Sequence, residues 1–207
     1  MKKFSNRYIF IYSTVLVAIV AVILSVVSVS LKPLQERNQR VETKQMLLRT
    51  IGVESTKDNA EDLYAQHITE TQLPDGKPYF SFEGGVVIPL RGTGLWGPIW
   101  GYMALDPEGN VLGAVFDHKG ETPGLGGEIS TDKFAARFVG KKMDTQPIQL
   151  KKHADKEDKY QVDAISGGTM TSNGVTAMLQ SAFDDYASLL GSTTVPGSGQ
   201  SSNTIQQ

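Results

Sequence analysis

The 207-residue sequence predicts an α+β fold: a small antiparallel sheet flanked by helices, following an N-terminal transmembrane helix. Three observations predict it. From Tyr8 to Leu31 the chain is apolar and carries no charge, long enough for the ~20 residues that cross a bilayer. Short β-rich runs separated by glycine, proline, aspartate and asparagine turns fill the middle. A stretch of helical periodicity closes the chain, with Val175, Met178, Leu179, Ala182, Phe183, Tyr186, Leu189 and Leu190 on one face.

Composition narrows the chemistry. The length suits one buried core with an appendage, and a net charge of −2 gives no electrostatic footprint for nucleic acid. The absence of cysteine removes disulfides, thiolate catalysis, iron–sulfur ligation and cysteine-based zinc sites.

The apolar run competes between a retained anchor and a cleavable signal peptide. A signal peptide's apolar stretch is about 7–15 residues, so the longer run here favours the anchor. Lys2, Lys3 and Arg7 precede it and are expected in the cytoplasm, which puts the body outside. Lys32, Arg37 and Arg40 follow on the other side, opposing that orientation, although the short N-terminal tail is the easier end to retain.

Pro33 to Thr50 reads as a separate helix with Pro33 in its first turn and Gly52 near its end. Asn59 to Gln66 gives a second, short helix. Strands are expected at Tyr79–Phe82 and Val86–Leu90. A hairpin joins Trp100–Leu105 to Val111–Phe116 through Asp106-Pro107-Glu108-Gly109-Asn110. Ser130 to Gly140 reads as a capped helix, and Ile148–Leu150 and Tyr160–Ile165 as two further strands. Beyond Gly191 the Gly/Ser/Thr/Gln-rich tail has the composition of a disordered segment.

Two glycine-rich stretches carry candidate chemistry. Ser166-Gly167-Gly168-Thr169 leads into the closing helix, with Thr171 or Ser172 placed as the N-cap. Free amides and the positive helix end suit an anion there. Local chemistry leaves open both that reading and an ordinary capped turn. His118-Lys119-Gly120-Glu121-Thr122-Pro123-Gly124-Leu125-Gly126-Gly127-Glu128 follows the hairpin. It lacks the Gly-Lys-Ser/Thr ending of a P-loop and the strand-to-helix GxGxxG setting of a dinucleotide fold. With only three histidines, in different segments, neither a metal site at His118, Glu121 and Glu128 nor a Ser/His/Asp triad is read. Trp96 and Trp100 read as core or as an aromatic wall.

These stretches resemble a known family. Ser166-Gly167-Gly168-Thr169, within Asp163–Val175, looks like the covalent flavinylation motif of FMN-binding domains, usually Ser-Gly-Ala-Thr. Gly120-Glu121-Thr122-Pro123-Gly124-Leu125-Gly126 resembles the family's second signature. Gly94-Leu95-Trp96-Gly97-Pro98-Ile99-Trp100-Gly101 and the ending Thr171-Ser172-Asn173-Gly174-Val175 resemble the version in the C subunit of Na+-translocating NADH:quinone oxidoreductases. The resemblance runs from the anchor to the closing helix. It departs at Gly168, where the family usually has alanine. The lost methyl loosens the backbone by roughly 0.5–1 kcal/mol.

The resemblance implies FMN joined by a phosphoester to Thr169, installed by a flavin transferase from FAD with a divalent cation. It implies a one-electron relay in a sodium-pumping complex, with no acid, base or nucleophile acting on a diffusing substrate. Ser166, Gly167, Gly168, Thr171 and Ser172 would surround the phosphate; Glu121, Thr122, Gly124, Leu125 and Gly126 would pack against the isoalloxazine. Expected partners are the other subunits of the complex, the transferase and membrane lipid. The expected organisation is a cytoplasmic N-terminus (1–7), a transmembrane helix (8–31), a helical stalk and domain entry (32–72), an extracytoplasmic FMN-binding domain (73–191) and a tail (192–207) in the inner membrane. Two alternatives stand beside it: the G subunit of an Rnf-type ferredoxin:NAD oxidoreductase with the same covalent FMN, and a cofactor-free, anchored binding ectodomain.

Overall fold

The computed structural model describes residues 5–190; Lys2, Lys3 and the segment 192–207 lie outside them. The chain divides into two compact units at Thr43/Lys44. The boundary falls inside the first helix, α1 (Asn6–Thr50).

α1 is continuous where the sequence suggests two helices. Pro33 lies inside it: proline removes one helical N–H, and the good helix formers that follow, Leu34-Gln35-Glu36-Arg37, carry the helix on. Its Tyr8–Leu31 stretch is long and apolar enough to cross a membrane, with its large side chains exposed. Beyond Thr43 the helix end belongs to the second unit, where Leu47 and Leu48 are buried. Gly52, with φ 79°, takes the left-handed conformation that ends the helix.

In the second unit, α2 (Ala60–His67) is followed by five antiparallel strands in simple meander order: β1 (Thr69–Gln72), β2 (Pro78–Phe82), β3 (Gly85–Thr93), β4 (Pro98–Leu105) and β5 (Val111–His118). The expected hairpin is β4–β5, with Met103 opposite Ala114. A 3-10 helix (Gly126–Ser130) and the short α3 (Asp132–Ala135) follow. β6 (Gln149–Lys151) and β7 (Gln161–Asp163) form a separate parallel pair before α4 (Thr169–Asp185). Helix Ser130–Gly140 is thus shorter than its pattern suggests: Thr131 caps it, and by Gly140 the amide bonds Val111 O instead of continuing the helix. The sheet also begins ahead of residue 73, because β1 pairs with β2 from Thr69 to Gln72.

Strand alternation buries both sheet faces. One face places Ile88, Leu90, Ile99, Met103, Leu105, Ala114 and Phe116 in a core shared with Val175, Met178, Leu179 and Ala182 of α4. Phe116, Phe134 and Phe138 form an aromatic cluster with ring centroids 4.9, 5.3 and 5.4 Å apart. The residues of opposite parity, Val87, Ala104 and Val115, are buried too, as are Leu47, Leu48, Tyr64 and Ile68.

Two glycines seat α4 against β3. A Cβ on Gly92 would meet Met178 Cβ at 2.7 Å, and one on Gly174 would run into Thr93 O. This close crossing brings the N-terminus of α4 to the β3–β4 loop, and β4–β5 pairing brings the residues after His118 to the same corner.

A cleft at the start of the closing helix

The Ser166–Thr169 stretch is built on a β-turn over Ile165–Gly168. Gly168 N–H donates to Ile165 O at 3.1 Å, and Gly167 between them has φ 74°, which only glycine adopts readily. The turn delivers Thr169 as the first residue of α4, exposed, with Gly168 at the cap position and no side-chain cap. That corrects the sequence expectation, because the helix begins ahead of Thr171 and Ser172. The reason is that both hydroxyls are used elsewhere. Thr171 Oγ1 donates to Glu121 Oε2 at 2.5 Å, and Ser172 Oγ accepts from Ile165 N–H at 3.1 Å. The two residues are only 2% and 3% exposed. Their side chains therefore shape the corner from within, and the amides of Thr169, Met170 and Thr171 have no partner within the helix. These precede the first helical bond, Ser172 N–H to Gly168 O.

Both glycine-rich stretches meet here. Leu95, Trp96, Glu121, Thr122, Leu125, Gly126 and Gly167 to Thr171 line one cleft of about 140 Å³. Leu125 lies over the turn, so that a Cβ on Gly167 would meet its Cδ2 at 2.8 Å. Thr122 O accepts from the amides of Leu125 and Gly127, folding the loop back into the 3-10 helix. Ser166 and Gly124 are exposed and are not among the residues lining the cleft. Leu95, Trp96, Leu125 and Met170 are large apolar side chains left in solvent around the cleft. Of these, Leu95, Trp96 and Met170 are absent from the residues expected at the site. The Gly94–Gly101 motif is the signal for the first two, and Trp96 is a wall, not core.

Glu121 sits inward, 4% exposed. Its Oε1 accepts from Trp96 N–H at 2.8 Å and its Oε2 from Thr171, so one carboxylate ties the β3–β4 loop, its own loop and α4 together. Burial pushes its carboxyl up. Hydrogen bonds from Thr171 and the Trp96 and Leu95 amides, with His118 nearby, outweigh that and hold it below the ordinary carboxylate value. Its own N–H donates to His118 Nδ1 at 3.2 Å. The glycines at 94 and 126 make room for this carboxylate: a Cβ on either would fall against its oxygens. Gly126 therefore serves the Glu121–Thr171 contact directly, a purpose its place in a glycine-rich loop does not disclose.

The arrangement fits a flat aromatic group bearing a phosphate. Apolar walls flank a shallow cleft, backbone amides point out of a 17-residue helix, and the Thr169 hydroxyl stands free beside them. Residues 94–184, which contain every residue lining the cleft, match the FMN-binding domain family. A crystal structure of the C subunit of Na(+)-translocating NADH-quinone reductase from Parabacteroides distasonis is 32% identical, superposes with a TM-score of 0.68, and covers 79% of this chain and 98% of its own. NqrC of Shewanella oneidensis shares the fold at 21% identity and a TM-score of 0.62, over 70% of this chain and 92% of its own. The C subunit of the Pasteurella multocida enzyme is 46% identical over 95 residues, 44% of this chain and 36% of that protein. The chain thus spans well under half the length of that curated relative. The fold and cleft define an FMN-binding domain. The chain belongs to the family of C subunits of the Na(+)-translocating NADH-quinone reductases.

Proposed function

We propose that this chain is the membrane-anchored, flavin-bearing subunit of a sodium-pumping NADH:quinone reductase, with FMN joined to Thr169 through a phosphoester. The observation that carries the reading is the placement of Thr169. Its hydroxyl is exposed on the first residue of a long helix, on a glycine turn, at the mouth of a cleft with apolar walls.

In maturation the Thr169 oxygen bonds to the flavin-side phosphorus of FAD supplied by a flavin transferase. The pyrophosphate bond breaks, AMP leaves, and the hydroxyl proton passes to the transferase; a divalent cation there offsets the phosphoryl charge. Gly167 and Gly168 give the backbone freedom to present the hydroxyl. The amides of Thr169 to Thr171 would hold the phosphate, while Leu95, Trp96, Leu125 and Met170 would pack against the ring system. FMN, when bound, supplies one-electron redox chemistry that the polypeptide lacks. The chain's own task is to fix the flavin's position and surroundings.

The Tyr8–Leu31 stretch of α1 anchors the chain in the inner membrane. With Lys2, Lys3 and Arg7 on the cytoplasmic side, the domain lies outside and meets the other subunits there. A covalent link retains the cofactor where a lost one could not be replaced. Co-production with a flavin transferase, denaturation and in-gel fluorescence under ultraviolet light test the reading. A band that fluoresces in the wild type and is dark in Thr169→Ala is expected. A dark wild type, or a fluorescent Thr169→Ala, contradicts it.

A further inference from the structure

We propose that Glu121 is the positioning residue of this cleft and that its fixed negative charge lowers the reduction potential of the flavin held there. The inference rests on the proposed function and adds a role for a side chain that has little access to solvent itself.

Three observations carry it. The carboxylate is buried in the lining of the cleft, with Trp96 N–H on Oε1 and Thr171 Oγ1–H on Oε2. Those two donors belong to two separate segments that line the cleft, the β3–β4 loop and the first turn of α4. Space is also reserved for it, since Gly94 and Gly126 would each drive a Cβ into its oxygens. A set of donors aimed at both oxygens stabilises the ionised form. A buried charge is screened little by salt or water, so its field persists into the cleft. A group that gains negative charge on reduction is harder to reduce beside it.

The carboxylate and its amide analogue separate positioning from charge. In Glu121→Gln, Oε1 can still accept from Trp96, and Nε2 can donate to Thr171 Oγ1, the hydroxyl turning from donor to acceptor. Geometry is kept and the charge is lost. Glu121→Ala loses both. Glu108→Gln removes an equal charge from the exposed β4–β5 turn and serves as the control.

The experiment uses the full chain in detergent, with flavin load checked by intact mass. Spectroelectrochemical titration should show the flavin midpoint shifted upward in Glu121→Gln and unmoved in Glu108→Gln. In flavin-free protein, hydrogen exchange at the Trp96 amide should quicken by about tenfold or more in Glu121→Ala, reflecting a lost charge-assisted bond, and stay near wild type in Glu121→Gln. An unchanged midpoint in loaded Glu121→Gln, or a shift matched by Glu108→Gln, overturns the charge role. Unchanged Trp96 exchange in Glu121→Ala overturns the positioning role. A wild type bearing no flavin refutes the proposed function instead, and the exchange measurement still decides the positioning role.

Discussion

Replacing Gly126 with alanine should damage this protein far more than its loop position suggests. Gly126 is buried, and an added Cβ would be driven between Glu121 Oε2 and Thr171 Oγ1, the two atoms of the tightest bond in the cleft. Overpacking of this kind costs about 1–3 kcal/mol. Separating a hydroxyl from a buried carboxylate adds about 1.5–3 kcal/mol if the bond is lost outright. Partial relaxation brings the expected loss to roughly 2–4 kcal/mol, or about 4–16 °C in melting temperature at ~2–4 °C per kcal/mol for a domain of this size. Thermal unfolding of the detergent-solubilised full chain, followed by near-ultraviolet circular dichroism, reads it. The sign is informative, because Gly→Ala at a site with room stabilises by about 0.4–1 kcal/mol. Adding Thr171→Ala removes one of the two crowded atoms, so the double variant should lose at least about 1 kcal/mol less than the sum of the single changes. A neutral or stabilised Gly126→Ala would refute the packing assigned to Glu121.

Other outcomes follow from the same geometry. Gly168 has φ −110°, open to any residue, but a Cβ would meet Ile165 Cγ2 at 2.9 Å. Gly168→Ala should therefore keep flavin attachment and change stability by under ~1 kcal/mol, the gain in chain entropy offset by crowding; loss of attachment would contradict this. Glu121 and Asp144 both titrate below the ordinary range. For Asp144, burial raises the pKa, but Lys142, Tyr160 and the Thr145 amide outweigh it. Because the folded values are the lower ones, the stability these groups contribute is full above the unfolded carboxylate value of about 4 and drains away as pH falls below it. Melting temperature measured from pH 7 to 3 should fall in that acid range, with a shallower fall in Glu121→Gln; an unchanged slope would contradict the assignment. Phe138→Ala, which empties one side of the Phe116–Phe134–Phe138 cluster, should cost about 3–5 kcal/mol in chemical denaturation. A loss below ~1 kcal/mol would mean the cluster is not part of the core.

Much of the fold is legible in the sequence because local signals agree with the tertiary arrangement. The β4–β5 hairpin has strong strand formers on both sides of an Asp-Pro-Glu-Gly-Asn turn, and α4 carries an unbroken apolar face. β1 is not legible, because Thr69-Glu70-Thr71-Gln72 is polar throughout; an edge strand of this kind is held by pairing to β2, not by a buried face. The continuity of α1 is hidden by Pro33, since proline usually marks a helix start, whereas here one missing donor is outweighed by the helix on either side. At the site, the Ser166–Thr169 stretch and the glycine loop are visible as motifs. The role of Glu121 is not. Its partners Trp96 and Thr171 lie 25 and 50 residues away; β4–β5 pairing brings the first within reach and the crossing of α4 over β3 the second. The same distance hides the purpose of Gly94 and Gly126, whose constraint is a side chain from elsewhere in the chain. Thr171 and Ser172 look like caps because hydroxyls near a helix start usually are; tertiary partners claim both.

The redox function proposed for this cleft depends on Thr169 being where the flavin is attached. Peptide mass mapping of the full chain, co-produced with a flavin transferase, tests that attachment without intermediaries. An FMN phosphoester on the Thr169 hydroxyl, and none in Thr169→Ala, is the expected result. FMN found on Ser166, Thr171 or Ser172 instead, or an unmodified Thr169 in a preparation where the transferase labels another substrate, would contradict it.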